Sequence, residues 1–401
     1  MTGFLKGLKC WIVNAICLGC LIVGTISCNS KEPNTPIPFE KDGFFYITAL
    51  LNDSIEGRFV FDTGADGLYI DSTFLSRHPS LIKVQPQSVK MRGAGSTAHK
   101  EIVLLKDSIR VTIDKRNTQI FTDIPIFELT AINGDNIAGI IGNEFLKEQV
   151  LCVDNENSTL LILPEVNAEM YDVDIPFEYV NGRIYFSVKI KLSNGITIKP
   201  RLLMDLGCAE TVILNTPYYN NKKDQIDDDI TYTILHGGAL GGNSRGGEFR
   251  ASSISISDYS LENSIICYSL DTLGAFSNTH YDGLLGNAIL DRFNFAIDYK
   301  NNKLYLSKNN KYDEPFLSTS LGFYAMKRGA FATVESIYDQ CEAFQNGLQL
   351  GDTIIKINNR EVAEILDNEF NDFLKSEKPT RLIILRDQKE ISISFTPKYL
   401  L

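Results

Sequence analysis

"RFVFDTGADGLYID", Arg58–Asp71, reads as an apolar strand that breaks at an Asp-x-Gly turn and then resumes. A second stretch, "RLLMDLGCAETVIL", Arg201–Leu214, follows the same plan. In both, apolar residues lead to an aspartate, a small residue follows the glycine, and apolar residues return. Asp62 and Asp205 stand 143 positions apart. A pattern used twice at so long an interval points to two copies of one domain rather than to a solenoid.

The likeness spreads outward from these turns. "IPFE" occurs at Ile37–Glu40 and again at Ile175–Glu178, each time followed by a strand-like run, from Gly43 and from Gly182. "IAGIIGNEFL" (Ile137–Leu146) matches "YDGLLGNAIL" (Tyr281–Leu290), which sets Gly142 and Gly286 144 apart. Each copy then ends in an apolar–Asp turn and a closing strand, "VLCVDNENSTLLIL" and "NFAIDYKNNKLYL". Short apolar runs alternate with Asn, Gly, Asp and Ser turns throughout. Period-two alternation is plain in "SIRVTIDK" and "SSISISDYSL". Helix signals are brief, chiefly after Gly142 and Gly286. The expected fold class is therefore all-β, with two homologous β-barrel-like lobes over residues 29–170 and 171–309.

With 401 residues the chain can bury a sizeable core in two or three domains. Its formal net charge is −11 and no Lys/Arg stripe occurs, so it lacks the electrostatic footprint of a nucleic-acid partner. The acidic run at Asp227, Asp228 and Asp229 lacks the alternating ligands and central glycine of a calcium loop and reads as solvated surface. Cys152, Cys208, Cys267 and Cys341 show no CxxC spacing, and the four histidines are scattered. No metal is expected, and these thiols read as buried and free. Cys208 as a nucleophile beside His236 is the lesser alternative.

The N-terminus reads as a targeting segment, residues 1–28. Lys6 and Lys9 precede the apolar run Cys10–Ser27, which ends in small residues before Cys28 and the polar "NSKEPNTP". This arrangement resembles a bacterial lipoprotein signal, although Thr25 stands where leucine is usual. The resemblance implies acylation at Cys28 and residence in the cell envelope, facing periplasm or exterior, tied to the membrane by a lipid anchor. A plain signal peptide or an uncleaved anchor stays open.

Asp62-Thr63-Gly64-Ala65 with Ile140-Ile141-Gly142 resembles one half of a pepsin- or retropepsin-like aspartic protease. Asp205-Leu206-Gly207-Cys208 with Leu284-Leu285-Gly286 resembles the other. The likeness runs from Pro36 to Leu306. It implies one catalytic aspartate from each lobe, meeting across a pseudo-twofold cleft, a peptide or protein substrate, and no cofactor. Two adjacent carboxyls cannot both ionise cheaply, so they share a proton: one serves as base towards water, the other as acid towards the substrate carbonyl. Thr63, Gly64 and Gly207 would support the pair. In the family the residue after each Asp is Thr or Ser, whose hydroxyl bonds across to the opposite lobe. Leu206 cannot do this, which leaves Thr63 to find a backbone partner and leaves open a peptide-binding or scaffold lipoprotein with impaired chemistry. By the same likeness Gly93, Ala94 and Gly95, and Gly241 and Gly242, sit in hairpin flaps over the cleft, with ordinary hairpin tips as the alternative.

From residue 310 to 401 the pattern changes. "FQNGLQLGDTIIKINNREV" is followed by a helix-like run, "ILDNEFNDFLKSE", and a hairpin, "TRLIILRDQKEISISF". Gly347-Leu348, Gly351-Asp352, Ile354 and Asn358-Asn359 resemble part of a PDZ domain, a small β-sandwich with one or two helices. Ser320, Leu321, Gly322 and Phe323 resemble its carboxylate-binding loop. The resemblance implies that a peptide C-terminus pairs with the strand after Gly322. A packing module with no ligand is the alternative.

Overall fold

The computed structural model describes residues 35–91, 100–114, 117–129, 136–226, 231–239 and 242–401. These residues form an all-β protein with a few short helices. Cys28, the acidic run at Asp227–Asp229, Gly93, Ala94, Gly95 and Gly241 lie outside them. Among the described residues no helix is long and apolar enough to cross a membrane.

The two Asp-x-Gly stretches form the same local structure. Strand Ile55–Asp62 pairs antiparallel with Phe44–Leu51 on one side and parallel with Gly139–Gly142 on the other. Strand Gly139–Gly142 then lies antiparallel to Leu68–Asp71. In the second copy, Arg201–Met204 pairs with Arg183–Ser187 and runs parallel to Gly283–Leu285, which lies antiparallel to Val212–Leu214. In each copy a later strand has thus threaded between the two arms of the Asp-x-Gly turn. Phe59, Val60 and Phe61, and Leu202, Leu203 and Met204, are all buried, because these central strands are covered on both faces. Threading also explains the distal glycines. A β-carbon on Gly142 would meet the Ala65 carbonyl oxygen at 2.5 Å, and one on Gly286 would meet that of Cys208 at 2.6 Å.

Two helices were not expected from the sequence. Ser72–Arg77 begins at Asp71, whose Oδ1 accepts from the Phe74 N–H at 2.8 Å, and Thr216–Lys222 begins at Asn215, whose Oδ1 accepts from the Tyr218 N–H at 3.0 Å. The caps lie 144 residues apart, the interval of the distal glycines.

The closing hairpins of the two lobes join each other. Val150–Asp154 pairs antiparallel with Phe293–Asp298, and Ile37–Pro38, Thr159–Leu163, Lys303–Lys308 and Val173–Pro176 complete a six-stranded sheet. Its two turns are built alike. Asp154 Oδ2 accepts from the Asn157 amide and Asp298 Oδ2 from the Asn301 amide, both at 2.7 Å. One continuous apolar core extends from Phe45 and Phe59 of the N-lobe to Leu202, Phe293 and Phe295 of the C-lobe.

The C-terminal segment has its own core, in which Leu321, Phe323, Val334, Ile354, Phe370 and Leu382 are buried. Its sheet nevertheless continues that of the C-lobe. Strand Phe331–Tyr338 pairs with Phe323–Arg328 and Thr353–Ile357, and also with Thr231–Ala239 of a C-lobe hairpin, Ile234 opposite Tyr338. Ile234 is buried inside the C-terminal core. The Tyr338 hydroxyl donates to Glu248 Oε2 at 2.7 Å on the other arm of that hairpin, Gly242–Arg250. The boundary near residue 310 is therefore a boundary of the chain and not of the sheet.

Glu248 is buried beside Glu210 and Cys267. Burial, helped by the Glu210 charge, pushes its carboxyl up to about 7, against the hydroxyl of Tyr338. The folded protein thus keeps a proton that the unfolded chain releases near the ordinary 4.5. The stability due to this proton is complete below that value and is lost as pH rises towards 7. The substitution Glu248→Gln supplies a neutral isostere that cannot titrate. The variant should match wild type at pH 4 and exceed it by on the order of 1–3 kcal/mol at pH 8. Thermal unfolding of both proteins across pH checks this; parallel curves would exclude it.

Candidate active site

The two Asp-x-Gly turns face each other, and the side chains of Asp62 and Asp205 are hydrogen-bonded to one another. Gly64 N–H donates to Asp62 Oδ1 at 2.6 Å and Gly207 N–H to Asp205 Oδ1 at 2.8 Å. The glycines are required by the approach of the opposite aspartate. A β-carbon on Gly64 would lie 2.7 Å from Asp205 Cγ, and one on Gly207 2.5 Å from Asp62 Cγ. Burial raises the affinity of both carboxyls for protons, and the negative charge of Asp62 raises that of Asp205 further, well above the usual carboxylate range. Both shifts run in the direction that favours one proton shared between the two members.

Thr63 is buried and bridges the lobes with both functions of its hydroxyl. Oγ1 donates to the Met204 carbonyl at 2.9 Å and accepts from the Leu206 N–H at 3.0 Å. The backbone of the second turn is thus held from the first, although the Leu206 side chain, fully buried, returns no such bond.

Two asparagines supply further cross-links that the sequence reading passed over. Asn143 follows Gly142; its amide donates to the Thr63 carbonyl, and to the Gly182 carbonyl of the other lobe at 2.9 Å. Asn287 follows Gly286; its amide donates to the Leu206 carbonyl and to the Gly43 carbonyl of the other lobe, both at 2.8 Å. Each asparagine therefore ties the residue after one aspartate to a glycine from the opposite copy. Both are nearly inaccessible to solvent. Their signal in the sequence was the Gly-Asn dipeptide, present at both distal glycines.

The aspartates form the floor of a cavity of about 720 Å³. Tyr69, Phe127 and Ile140 line it from the N-lobe, and Tyr185, Leu203, Tyr281 and Leu284 from the C-lobe. Tyr69 stacks on Phe127 with ring centroids 5.8 Å apart, and the Tyr185 and Tyr281 rings are 5.9 Å apart. Two cations reach the walls. Arg201 is fixed by Glu178, with Nη2 2.6 Å from Oε2, and lies over the Tyr185 ring. Arg183 donates through Nε to the Gly64 carbonyl at 3.1 Å and pairs with Asp66. Neither arginine was singled out from the sequence. Burial raises the Cys208 thiol well above its ordinary value, so it is a packed thiol and no nucleophile.

The remaining sequence-derived residues are apart from this cavity or incompletely described. Gly242 opens the strand Gly242–Arg250. Ser320, Leu321, Gly322 and Phe323 lie in the C-terminal module. Gly322 has φ +71°, and a side chain there would collide with Cys341. Ser320 Oγ donates to the Ser376 carbonyl at 3.0 Å, just past helix Asp367–Leu374. Strand Phe323–Arg328 has a strand partner along one edge only among the described residues, and Lys327 on it meets Asp367 of the helix at 2.9 Å.

No family model matches the chain, and no curated protein matches it.

The Thr63 bridge has a measurable weight. Thr63→Val keeps the shape but leaves the Met204 carbonyl and the Leu206 N–H unpaired in the interior. Urea unfolding should show a loss of about 2 kcal/mol or more. Thr63→Ser should retain most of the stability, since the hydroxyl stays; equal losses in the two variants would refute the assignment.

Proposed function

We propose that the protein is an aspartic peptidase of the pepsin and retropepsin kind, with Asp62 and Asp205 as its catalytic pair. The observation that carries this reading is the mutual hydrogen bond of two carboxyls, one from each copy of a duplicated turn, on the floor of a cleft large enough for a peptide. Such a pair can take a proton from water with one member and protonate the scissile carbonyl with the other. The aromatic and aliphatic walls suit a segment with apolar side chains beside the cut bond.

The C-terminal module acts as a PDZ domain. The edge of Phe323–Arg328 beside helix Asp367–Leu374 offers a place for an added strand, and the loop Ser320–Phe323 a place for a terminal carboxylate. The chain is exported and held at the envelope by a lipid on Cys28.

A competing reading, peptide binding without cleavage, draws on Leu206. Against it stands Thr63, which supports the second turn through the backbone without any help from residue 206.

Purified protein incubated with a mixed peptide library between pH 3 and 8 should release new termini. Asp62→Asn and Asp205→Asn should each lower the rate about 10²–10⁴-fold while remaining folded. Wild type that cleaves nothing over this range leaves the binding reading in possession.

A further inference from the structure

The supports of the two aspartates are not equivalent. Asp62 accepts from two backbone donors, the N–H groups of Gly64 and Ala65. Asp205 accepts from Gly207, but the N–H of Cys208, which corresponds to Ala65, is directed to the Asp205 main-chain carbonyl at 3.2 Å. The peptide group that joins Gly64 to Ala65 is occupied at both ends. Its N–H meets Asp62, and its carbonyl accepts from Arg183 Nε at 3.1 Å. Arg183 comes from the opposite lobe, at the start of strand Arg183–Ser187, and its Nη2 is 3.1 Å from Asp66 Oδ1. Hydrogen bonds in series polarise one another, so a guanidinium on the carbonyl strengthens the N–H donor at the far end. Among the described residues no side chain of the first copy makes the matching bond to the Gly207 carbonyl. Arg183 follows Gly182, and the residue that follows the matching Gly43 is Phe44.

We propose that Arg183 is a positioning residue: by loading the Gly64–Ala65 peptide it makes Asp62 the charged member of the pair and Asp205 the protonated one. The roles in hydrolysis follow, and this part rests on the peptidase reading above. Water attacks the scissile carbonyl carbon and a C–O bond forms. The water proton passes to Asp62, the carbonyl π electrons move onto oxygen, and that oxygen takes the proton of Asp205. The product of the step is a neutral gem-diol.

The surrounding charges agree. Burial raises both carboxyls; the charge of Asp62 and the hydrogen bond to it raise Asp205 further, whereas the bonds from Asp205, Gly64 and Ala65 draw Asp62 back, and the Arg183 charge itself lowers both. Tyr69 and Cys208, the other titratable groups against the pair, are both pushed up by burial and stay neutral. Asp66 is neutralised by Arg183, and Glu210 turns away towards Cys267.

The test uses the full chain labelled with ¹³C at aspartate carboxyls, with Asp62→Asn and Asp205→Asn to assign the two signals. In wild type the Asp62 carbon should ionise at lower pH than that of Asp205. Arg183→Gln should move the Asp62 midpoint to higher pH more than that of Asp205, and Arg183→Lys should move it less. On a cleaved peptide, Arg183→Gln should lower kcat about tenfold or more with little change in KM, and shift the acidic limb of kcat/KM upward. Equal displacement of both carbons, or none, in a folded Arg183→Gln protein would falsify the proposal. A wild type without hydrolytic activity would remove the peptidase reading alone, because the titration still reports on Arg183.

Discussion

Two carboxyl groups within hydrogen-bonding distance in a protein interior repel unless they share a proton, and the chain must hold them there against that repulsion. Much of the architecture around the cleft serves this end. Each aspartate is held by the N–H of its own turn, and each turn is pinned from the other lobe. Thr63 grips the backbone at Met204 and Leu206, Asn143 and Asn287 tie the turns to Gly182 and Gly43, and the shared six-stranded sheet closes the assembly behind them. Gly64 and Gly207 are the points of closest approach, where any side chain would occupy the space of the opposite carboxyl.

A duplicated fold meets this constraint with paired devices, and a duplicated sequence is free to let one device of a pair lapse. Thr63 has Leu206 as its counterpart, and one hydroxyl serves both turns. Asn143 Oδ1 accepts from the buried hydroxyl of Tyr299, whereas Asn287 Oδ1 is buried without a partner among the described residues. Arg183 has Phe44. These departures all fall in the shell immediately around the pair. They make two chemically identical side chains inequivalent, which acid–base division of labour requires.

What could be read in the sequence was what local chemistry dictates. Asp62, Asp205 and the four glycines were legible because a tight turn, or a strand passing behind it, tolerates no side chain. The caps Asp71 and Asn215 carried an equally local signal but stood inside stretches read for their apolar strands, so both helices were missed. Asn143 and Asn287 were quoted for the glycines beside them. Their bonds to Gly182 and Gly43 span 39 and 244 positions of the chain, and no spacing rule reaches that far. Arg183 was invisible for the same reason. The pairing of the two closing hairpins with each other, rather than each within its own lobe, is also a choice of edge that alternating apolar residues cannot specify.

The same limit applies at the junction with the C-terminal module, where the missed contact alters how the molecule is divided. Strand Thr231–Ala239 has the module on one edge and its own hairpin partner on the other, and that partner, Gly242–Arg250, pairs in turn with Ile265–Ser269 of the C-lobe. Separating the module would expose Ile234, now inside its core, to water and would take the Tyr338 hydroxyl from the Glu248 carboxyl. The base of the hairpin is therefore fixed on both arms. The ladder between the arms is regular as far as His236 opposite Ser244 and breaks register before Ala239 meets Gly242. The module therefore holds the regular part of the hairpin on the side away from its partner strand, and the register break falls beyond the residues it pairs with.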